Sequence, residues 1–478
     1  MSIIETTLLG LLVALVLTIS PPNSCLAQEN SRRPNVVLIV SDDQTYTDFG
    51  FMGNAEVRTP NLDQLAAQSA RYVNGYVPSS VCRPSLVTLL TGLYPHQHGV
   101  HFNHPPPGFS KLTKSPEIGK REFDKLRERA TDLIKRVPTL PRLLSSNGYR
   151  CFQTGKYWEG HWHNAGFTEG MTTAEPSGGK YGDKRLANGD VVAHGNGDHG
   201  LVIGRETMQP IDEFIDDCGA APFLVWYAPF LPHTPHNSPK KYFDLYESSG
   251  VPKHRIPYYA AITQFDDTVG HLVQSLEKRG LARNTVFLFV VDNGWEPDPS
   301  RYMASRSEWD HTKRSKRAPF DYGLRTPILV RWDGQTKPST HKELVSSIDV
   351  VPTLLSACGL EDADIELPGI DLMPSACGAG KLDVERTIFG EIYPGDATKL
   401  GRPASDVAYR WVRQGDLKLI TTHDHGKRPA WNNYLVGDSL FDVVADPSET
   451  HNVIDRVENN THVASLRRQL DEWWQPGE

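Results

Sequence analysis

Four hard oxygen donors stand at the ends of two strand-like runs. Asp42-Asp43 follows the apolar stretch Asn35 to Val40, and Asp292-Asn293 follows Thr285 to Val291. Carboxylates and an amide carbonyl in that number suit Ca²⁺, which takes six to eight oxygen ligands, whereas Mg²⁺ keeps more of its water. The competing reading is that Asp-Asp and Asp-Asn-Gly are ordinary turn formers after strands. Between the two pairs in the chain lies Cys82, at the head of a stretch, Pro84 to Thr91, that suits a helix with its proline in the first turn. A group there meets the positive end of the helix, which favours an oxyanion and a bound anion. Read blandly, Cys82 is a small apolar residue packing a helix start. Lys156 follows Gly155, His233 sits between Pro232 and Thr234-Pro235, and Lys316 belongs to a basic run with Arg301, Arg306, Lys313, Arg314 and Arg317. An ammonium suits a tetrahedral oxyanion and an imidazole suits proton delivery. Taken alone, each also fits a solvated side chain.

Elements that alternate along the chain must position these groups. Asn35–Val40, Pro222–Tyr227, Thr285–Val291 and Ile328–Arg331 read as buried strands, continuous in apolar character rather than alternating. Helical patterns separate them at 61–70, 137–146 and 258–279. The order predicts an α/β fold, a mostly parallel central sheet with helices on both faces. Ligand sites in such sheets lie beyond the carboxyl ends of the strands, where the polar clusters fall. Phe102 to Arg136 reads as a polar insertion, helical in its latter part. His161 to Thr207 is Gly-, His- and Asp-rich and reads as a functional loop region. After about Glu385 short strands (410–414 and 417–421) and a terminal amphipathic helix predict a small antiparallel α+β subdomain. The expected division is 1–27 as a signal peptide, 28–384 as a catalytic domain and 385–478 as the C-terminal subdomain.

With 478 residues, 38% hydrophobic and 23% charged, the chain has the composition of a soluble globular protein large enough for more than one structural unit. Its net charge of -8 argues against a general nucleic-acid binder, which is usually basic. Leu8 to Ile19 is apolar but short for a bilayer span, and Cys25-Leu26-Ala27 resembles a cleavage site, so an exported protein without stable membrane insertion, periplasmic or secreted, is expected. Loss of Cys25 with that leader leaves Cys82, Cys151, Cys218, Cys358 and Cys377, an odd set with at least one member outside any pairing.

In their shared order these marks resemble the type I, formylglycine-dependent sulfatases of the alkaline-phosphatase superfamily. The resemblance runs from Pro34-Asn35 and Asp42-Asp43 through Thr59-Pro60-Asn61-Leu62-Asp63 to Cys82-Arg83-Pro84-Ser85-Leu86 and Gly92-Leu93-Tyr94-Pro95-His96. It continues with Gly155-Lys156, Pro232-His233, Asp292-Asn293-Gly294, Gly323-Leu324-Arg325-Thr326-Pro327 and Phe441-Asp442. It implies that Asp42, Asp43, Asp292 and Asn293 hold one Ca²⁺ together with Cys82, after a formylglycine-generating system has oxidised Cys82 to an aldehyde. It further implies that the aldehyde hydrate attacks sulfur, that Lys156 and Lys316 grip sulfate, and that His233 protonates the leaving alcohol. The implied substrate is a sulfated small molecule or glycan. Trp158, Trp162 and Tyr181 suit either stacking on sugar rings or core packing.

Two positions depart from the family pattern. Leu86 stands where the family has an arginine, and Trp158 where it has a histidine two residues after the lysine. Arg83 is the expected charge replacement for the first, and His161 or His163 the expected stand-in for the second, with Arg317 as a further substrate contact. The departures keep two alternatives open: a catalytically inactive, glycan-binding sulfatase-like protein, and a phosphonate or phosphodiester hydrolase on the same fold.

Overall fold

The computed structural model describes residues 33–178, 181–194, 198–300, 311–360, 365–393, 395–423 and 433–477. The expected signal peptide, and Arg301 and Arg306 of the basic run, lie outside the described residues.

Fifteen strands among the described residues are β1 Asn35–Ser41, β2 Ala70–Tyr76, β3 Arg150–Gly155, β4 Glu169–Gly170, β5 Asp183–Arg185, β6 Val191–Ala193, β7 Phe223–Ala228, β8 Thr285–Val291, β9 Arg325–Trp332, β10 Ser339–His341, β11 Val345–Ser346, β12 Thr387–Ile392, β13 Tyr409–Gln414, β14 Leu417–Thr422 and β15 Ser439–Asp442. The main sheet has the order β10-β2-β9-β8-β1-β7-β3-β4, with β11 also paired to β2. β1 lies at its centre, parallel to β7 and β8, and all seven of its residues are buried. Alternate side chains explain that continuous apolar run. Val36, Leu38 and Val40 face a core shared with the Cys82–Thr91 helix, while Val37 and Ile39 face one shared with Ala261, Phe265 and Leu272 of the Ile256–Lys278 helix. Both faces of the sheet are covered, as a parallel sheet requires.

The expected strand at Ile328–Arg331 is longer than its apolar core and runs antiparallel to both β8 and β2. The segment 292–324 leaves β8 and re-enters β9 at the same end, so no crossover helix is needed. It also keeps Lys316 at the carboxyl end of the sheet. The helix expected over 61–70 spans Pro60–Ala67 instead, and Ala70 already opens β2.

Four neighbouring strands, β8, β1, β7 and β3, run parallel and deliver Asp292, Asp42, the His233 loop and Lys156 from their carboxyl ends. β2 delivers Cys82 from the same end, six residues beyond Tyr76. Two glycines make this convergence possible. Gly155 has φ +66 and a side chain on it would meet the Ala228 carbonyl at 2.0 Å, while one on Gly294 would meet the Tyr322 carbonyl at 1.9 Å. The expected C-terminal sheet is present as antiparallel β12-β13-β14-β15, with the Asn460–Trp473 helix packed on it. No helix among the described residues is long and apolar enough to cross a membrane.

Candidate active site

Asp42, Asp43, Cys82 and His233 each offer a ligand atom, and these atoms lie within 4.8 Å of one another. Asp292 and Asn293 close the cluster from β8. The Asp43 backbone N–H donates to Asp292 Oδ1 at 3.1 Å, and Asn293 Nδ2 donates to Asp43 Oδ1 at 2.7 Å. Cys82 Sγ lies 3.8 Å from Asp43 Oδ1 at the first residue of its helix. Lys156 donates to Asp42 Oδ1 and lies 3.6 Å from Asp292 Oδ2; Lys316 donates to Asp43 Oδ2 at 2.6 Å. His233 Nε2 is 3.4 Å from Asp43 Oδ2, while Nδ1 faces the Thr234 carbonyl at 2.7 Å. Nδ1 therefore anchors the ring and Nε2 is the atom turned to the cluster. Every one of these residues is buried.

Burial dominates the electrostatics. It pushes the Asp42 carboxyl well above the usual range against the pull of Lys156, and it raises Asp292 in the same way. Burial also works to raise Asp43, but Lys316, His233 and Lys156 outweigh it and hold that carboxyl below the usual range. Burial disfavours cationic His233, against the attraction of Asp43, and lowers its pKa well below the ordinary imidazole value. The Cys82 thiol is pushed up to about 12 by burial, so it stays protonated near neutral pH.

Asp42 Oδ2, Asp292 Oδ2 and Asn293 Oδ1 are buried without a hydrogen-bond partner among the described residues. Orphaned oxygens at that depth are costly and rare. Three of them beside a fully buried Asp43 fit a hard divalent cation bound by oxygen. The charge balance fits as well. With all three carboxylates ionised, as a bound divalent cation would favour, they and the two ammonium groups carry one negative charge, and the cation would bring the cluster to one positive charge, which complements a sulfate monoester.

The remaining expected contacts fall elsewhere. Arg83 is fully buried and forms a bidentate pair with Glu159, Nε–Oε1 at 2.6 Å and Nη2–Oε2 at 2.7 Å, with Nη2 also donating to the Ala130 carbonyl. Its guanidinium lies over the Phe102 ring, so it does not extend to the cluster as a replacement charge. His161 and His163 pack on each other, centroids 4.1 Å apart, and on Trp162 rather than on any cluster residue. Gly160, just before them, has a left-handed backbone conformation, φ 74. Trp158 is buried against His104 and His194, whose Nδ1 and Nε2 are 3.1 Å apart. Arg317 is adjacent to Lys316 in a left-handed backbone conformation, φ 71, with its N–H on the Ser80 carbonyl. Leu86 packs in the core between helix and sheet. Glu159, Arg205 and the His104–His194 pair carried no local sequence signal, because their partners lie far away in the chain. Cys82, Cys151, Cys218 and Cys358 are free thiols.

A profile of the sulfatase family matches residues 34–360, and a second, described as N-sulphoglucosamine sulphohydrolase, C-terminal, matches residues 309–475. Arylsulfatase A of Bos taurus is 28% identical over 469 residues, covering 89% of this chain and 84% of its own. Human N-acetylgalactosamine-6-sulfatase is 26% identical over 463 residues, covering 87% and 80%. The solved phosphonate monoester hydrolase of Agrobacterium radiobacter shares the fold, with TM-score 0.62 at 19% identity over 91% of this chain and 96% of that one.

Proposed function

This chain belongs to the sulfatase family and is a sulfuric ester hydrolase, and from that premise we propose that it is an exported enzyme removing sulfate from a sulfated carbohydrate. A sulfated sugar is favoured by relatives whose names specify one, such as N-acetylgalactosamine-6-sulfatase and N-acetylglucosamine-6-sulfatase. The observation that carries the site assignment is the set of three orphaned buried oxygens, on Asp42, Asp292 and Asn293, around a carboxylate already held ionised. Asp42, Asp43, Asp292 and Asn293, with Cys82, would hold one Ca²⁺. The cation would supply Lewis-acid polarisation of a sulfate oxygen, and Cys82 in its oxidised, hydrated form would supply the nucleophilic hydroxyl. A thiol with its pKa near 12 is a poor nucleophile at neutral pH, which is why the oxidised residue is the form proposed.

The chain's own groups would do the rest. Lys156 and Lys316, fixed on opposite sides by Asp42 and Asp43, place two ammonium charges where a sulfate group enters. The first turn of the Cys82–Thr91 helix adds its positive end to the same point. With Nδ1 donating to the Thr234 carbonyl, His233 carries a proton on Nε2 only as the imidazolium, the form that Asp43 at 3.4 Å favours against burial. In that form it would pass the Nε2 proton to the ester oxygen as the S–O bond breaks, and the bond's electron pair leaves with a neutral alcohol. Arg317, next to Lys316 in the chain, is the further contact to the sugar in this reading. We assign 28–384 to catalysis and 385–478 to a subdomain that supports the Lys316 segment, through Lys418 on Asp321 and Glu449, each at 2.6 Å.

The test combines mass spectrometry of the Cys82 peptide, after expression in a host with a formylglycine-generating system, with turnover of matched aryl sulfate, phosphate and phosphonate esters. An oxidised Cys82, preference for the sulfate ester and loss of turnover on chelation of Ca²⁺ are expected. An unmodified thiol with glycan binding but no turnover overturns the enzymatic reading. Faster phosphonate or phosphodiester hydrolysis overturns the choice of ester.

A further inference from the structure

His233 lies on a loop, 229–237, that leaves β7 without regular structure, yet its ring must be held to a fraction of an ångström to deliver a proton. One side chain outside the cluster reaches that loop at every turn. Arg205 Nε donates to the Phe230 carbonyl at 2.7 Å, Nη2 to the His233 carbonyl at 2.5 Å, and Nη1 to both the Pro235 carbonyl at 3.1 Å and Asn237 Oδ1 at 2.9 Å. A planar guanidinium with five fixed donors can hold three carbonyls in one geometry; an ammonium cannot. Its guanidinium also lies over the Phe230 ring at 5.2 Å, and that ring stacks on the imidazole of His233 with centroids 4.2 Å apart and planes 24° apart. Arg205 is itself preset. Gln264, on the long Ile256–Lys278 helix, donates from Nε2 to the carbonyls of Gly204 and Arg205. The chain of contact thus runs from a rigid helix through Arg205 to both the backbone and the ring face of His233.

We infer that Arg205 is a positioning residue for proton delivery by His233: it fixes the loop carbonyls and, through Phe230, the plane of the imidazole, so that Nε2 points at the leaving oxygen. The inference rests on the proposed role of His233 as leaving-group acid. These contacts of Arg205 go to the His233 loop and its Phe230 ring rather than to the cluster donors, so its effect must show in the dependence of rate on the leaving group.

The experiment measures kcat/KM for aryl sulfates of falling leaving-group acidity, from 4-nitrophenyl sulfate to phenyl sulfate, with the parent, His233→Ala, Arg205→Ala and Arg205→Lys enzymes. A ratio of two substrates on one preparation cancels the fraction of enzyme that is folded and carries formylglycine. Loss of positioned acid assistance affects a poor leaving group far more than a good one. Arg205→Ala is expected to lose about tenfold or more in the phenyl-to-nitrophenyl ratio, His233→Ala at least as much, and Arg205→Lys an intermediate amount. A steep loss for His233→Ala with an unchanged ratio for Arg205→Ala overturns the inference alone, since a merely structural residue lowers both substrates equally. An unchanged ratio for His233→Ala overturns the acid assignment beneath it.

Discussion

Removing the carboxylate of Glu159 leaves the guanidinium of Arg83 buried with one carbonyl, that of Ala130 at 2.9 Å, as its remaining hydrogen-bond acceptor, and Nη1 is already without a partner. Both side chains are almost wholly inaccessible, 0% and 1% exposed. Breaking a buried pair from one side costs about 3–5 kcal/mol, because the surviving charge is uncompensated. Glu159→Ala is therefore expected to lower the unfolding free energy by about that amount. Removing both charges tells a different story. Burial raises the Glu159 carboxyl above its ordinary range even with Arg83 bonded to it, so desolvation outweighs the attraction of the pair. Arg83→Met combined with Glu159→Leu should then fall within about 1 kcal/mol of the parent, because an apolar pair of similar volume needs no desolvation. With Arg83→Met and Glu159→Leu also made singly, each expected to lose about 3 kcal/mol or more, the closed cycle gives a coupling energy of about 5 kcal/mol. Urea unfolding followed by tryptophan fluorescence, with m-values compared across the four proteins, measures it. A Glu159→Ala protein within 1 kcal/mol of the parent, or a double variant that loses the sum of the singles, would refute the reasoning.

Three further outcomes are expected. Burial pushes the Asp48 carboxyl up to about 7, against the pull of Arg255, so the folded state retains a proton that the unfolded chain has released. Stability from this group is complete below about pH 4 and is lost as pH rises to about 7, at about 1.4 kcal/mol per unit and thus at most about 4 kcal/mol; Asp48→Asn should raise the urea midpoint at pH 8 and leave it nearly unchanged at pH 4. His161→Ala and His163→Ala should each keep turnover within about twofold, and a tenfold loss in kcat for either would place these rings back in the site. Lys418→Met leaves Asp321 and Glu449 buried without their shared cation and should cost about 3–5 kcal/mol in unfolding measurements.

The cluster was legible because its geometry is written locally. β1 and β8 are unbroken apolar runs that stop abruptly on acids, and a strand that ends on Asp-Asp or Asp-Asn-Gly declares both its length and the end at which chemistry collects. β2 was not legible, because Arg71 and Asn74 interrupt its pattern and the preceding helical periodicity overran Ala70. The orientation of β9 was hidden for a different reason: an apolar run carries no direction, and only the path of 292–324 decides it. The contacts around the cluster were beyond any local pattern. Arg83 and Glu159 are far apart in the chain, and nothing next to Arg83 announces a buried acid. His161 and His163 follow Lys156 closely in sequence, but their ring contacts are with each other and Trp162 rather than with the cluster.

Leu86 gains its meaning from these contacts. It lies four residues after Cys82, one helical turn on, where it packs into the core beneath the helix with Val87, Leu89 and Leu90. The leucine contributes packing and no charge. The ammonium groups of Lys156 and Lys316 are both engaged with cluster carboxylates, Asp42 and Asp43. The segment that carries Cys82 is instead tied to the segment that carries Lys156 by Arg83 and Glu159, a charge pair turned away from the cluster. The arginine beside the cysteine thus serves architecture, its charge matched by Glu159 rather than offered to the cluster.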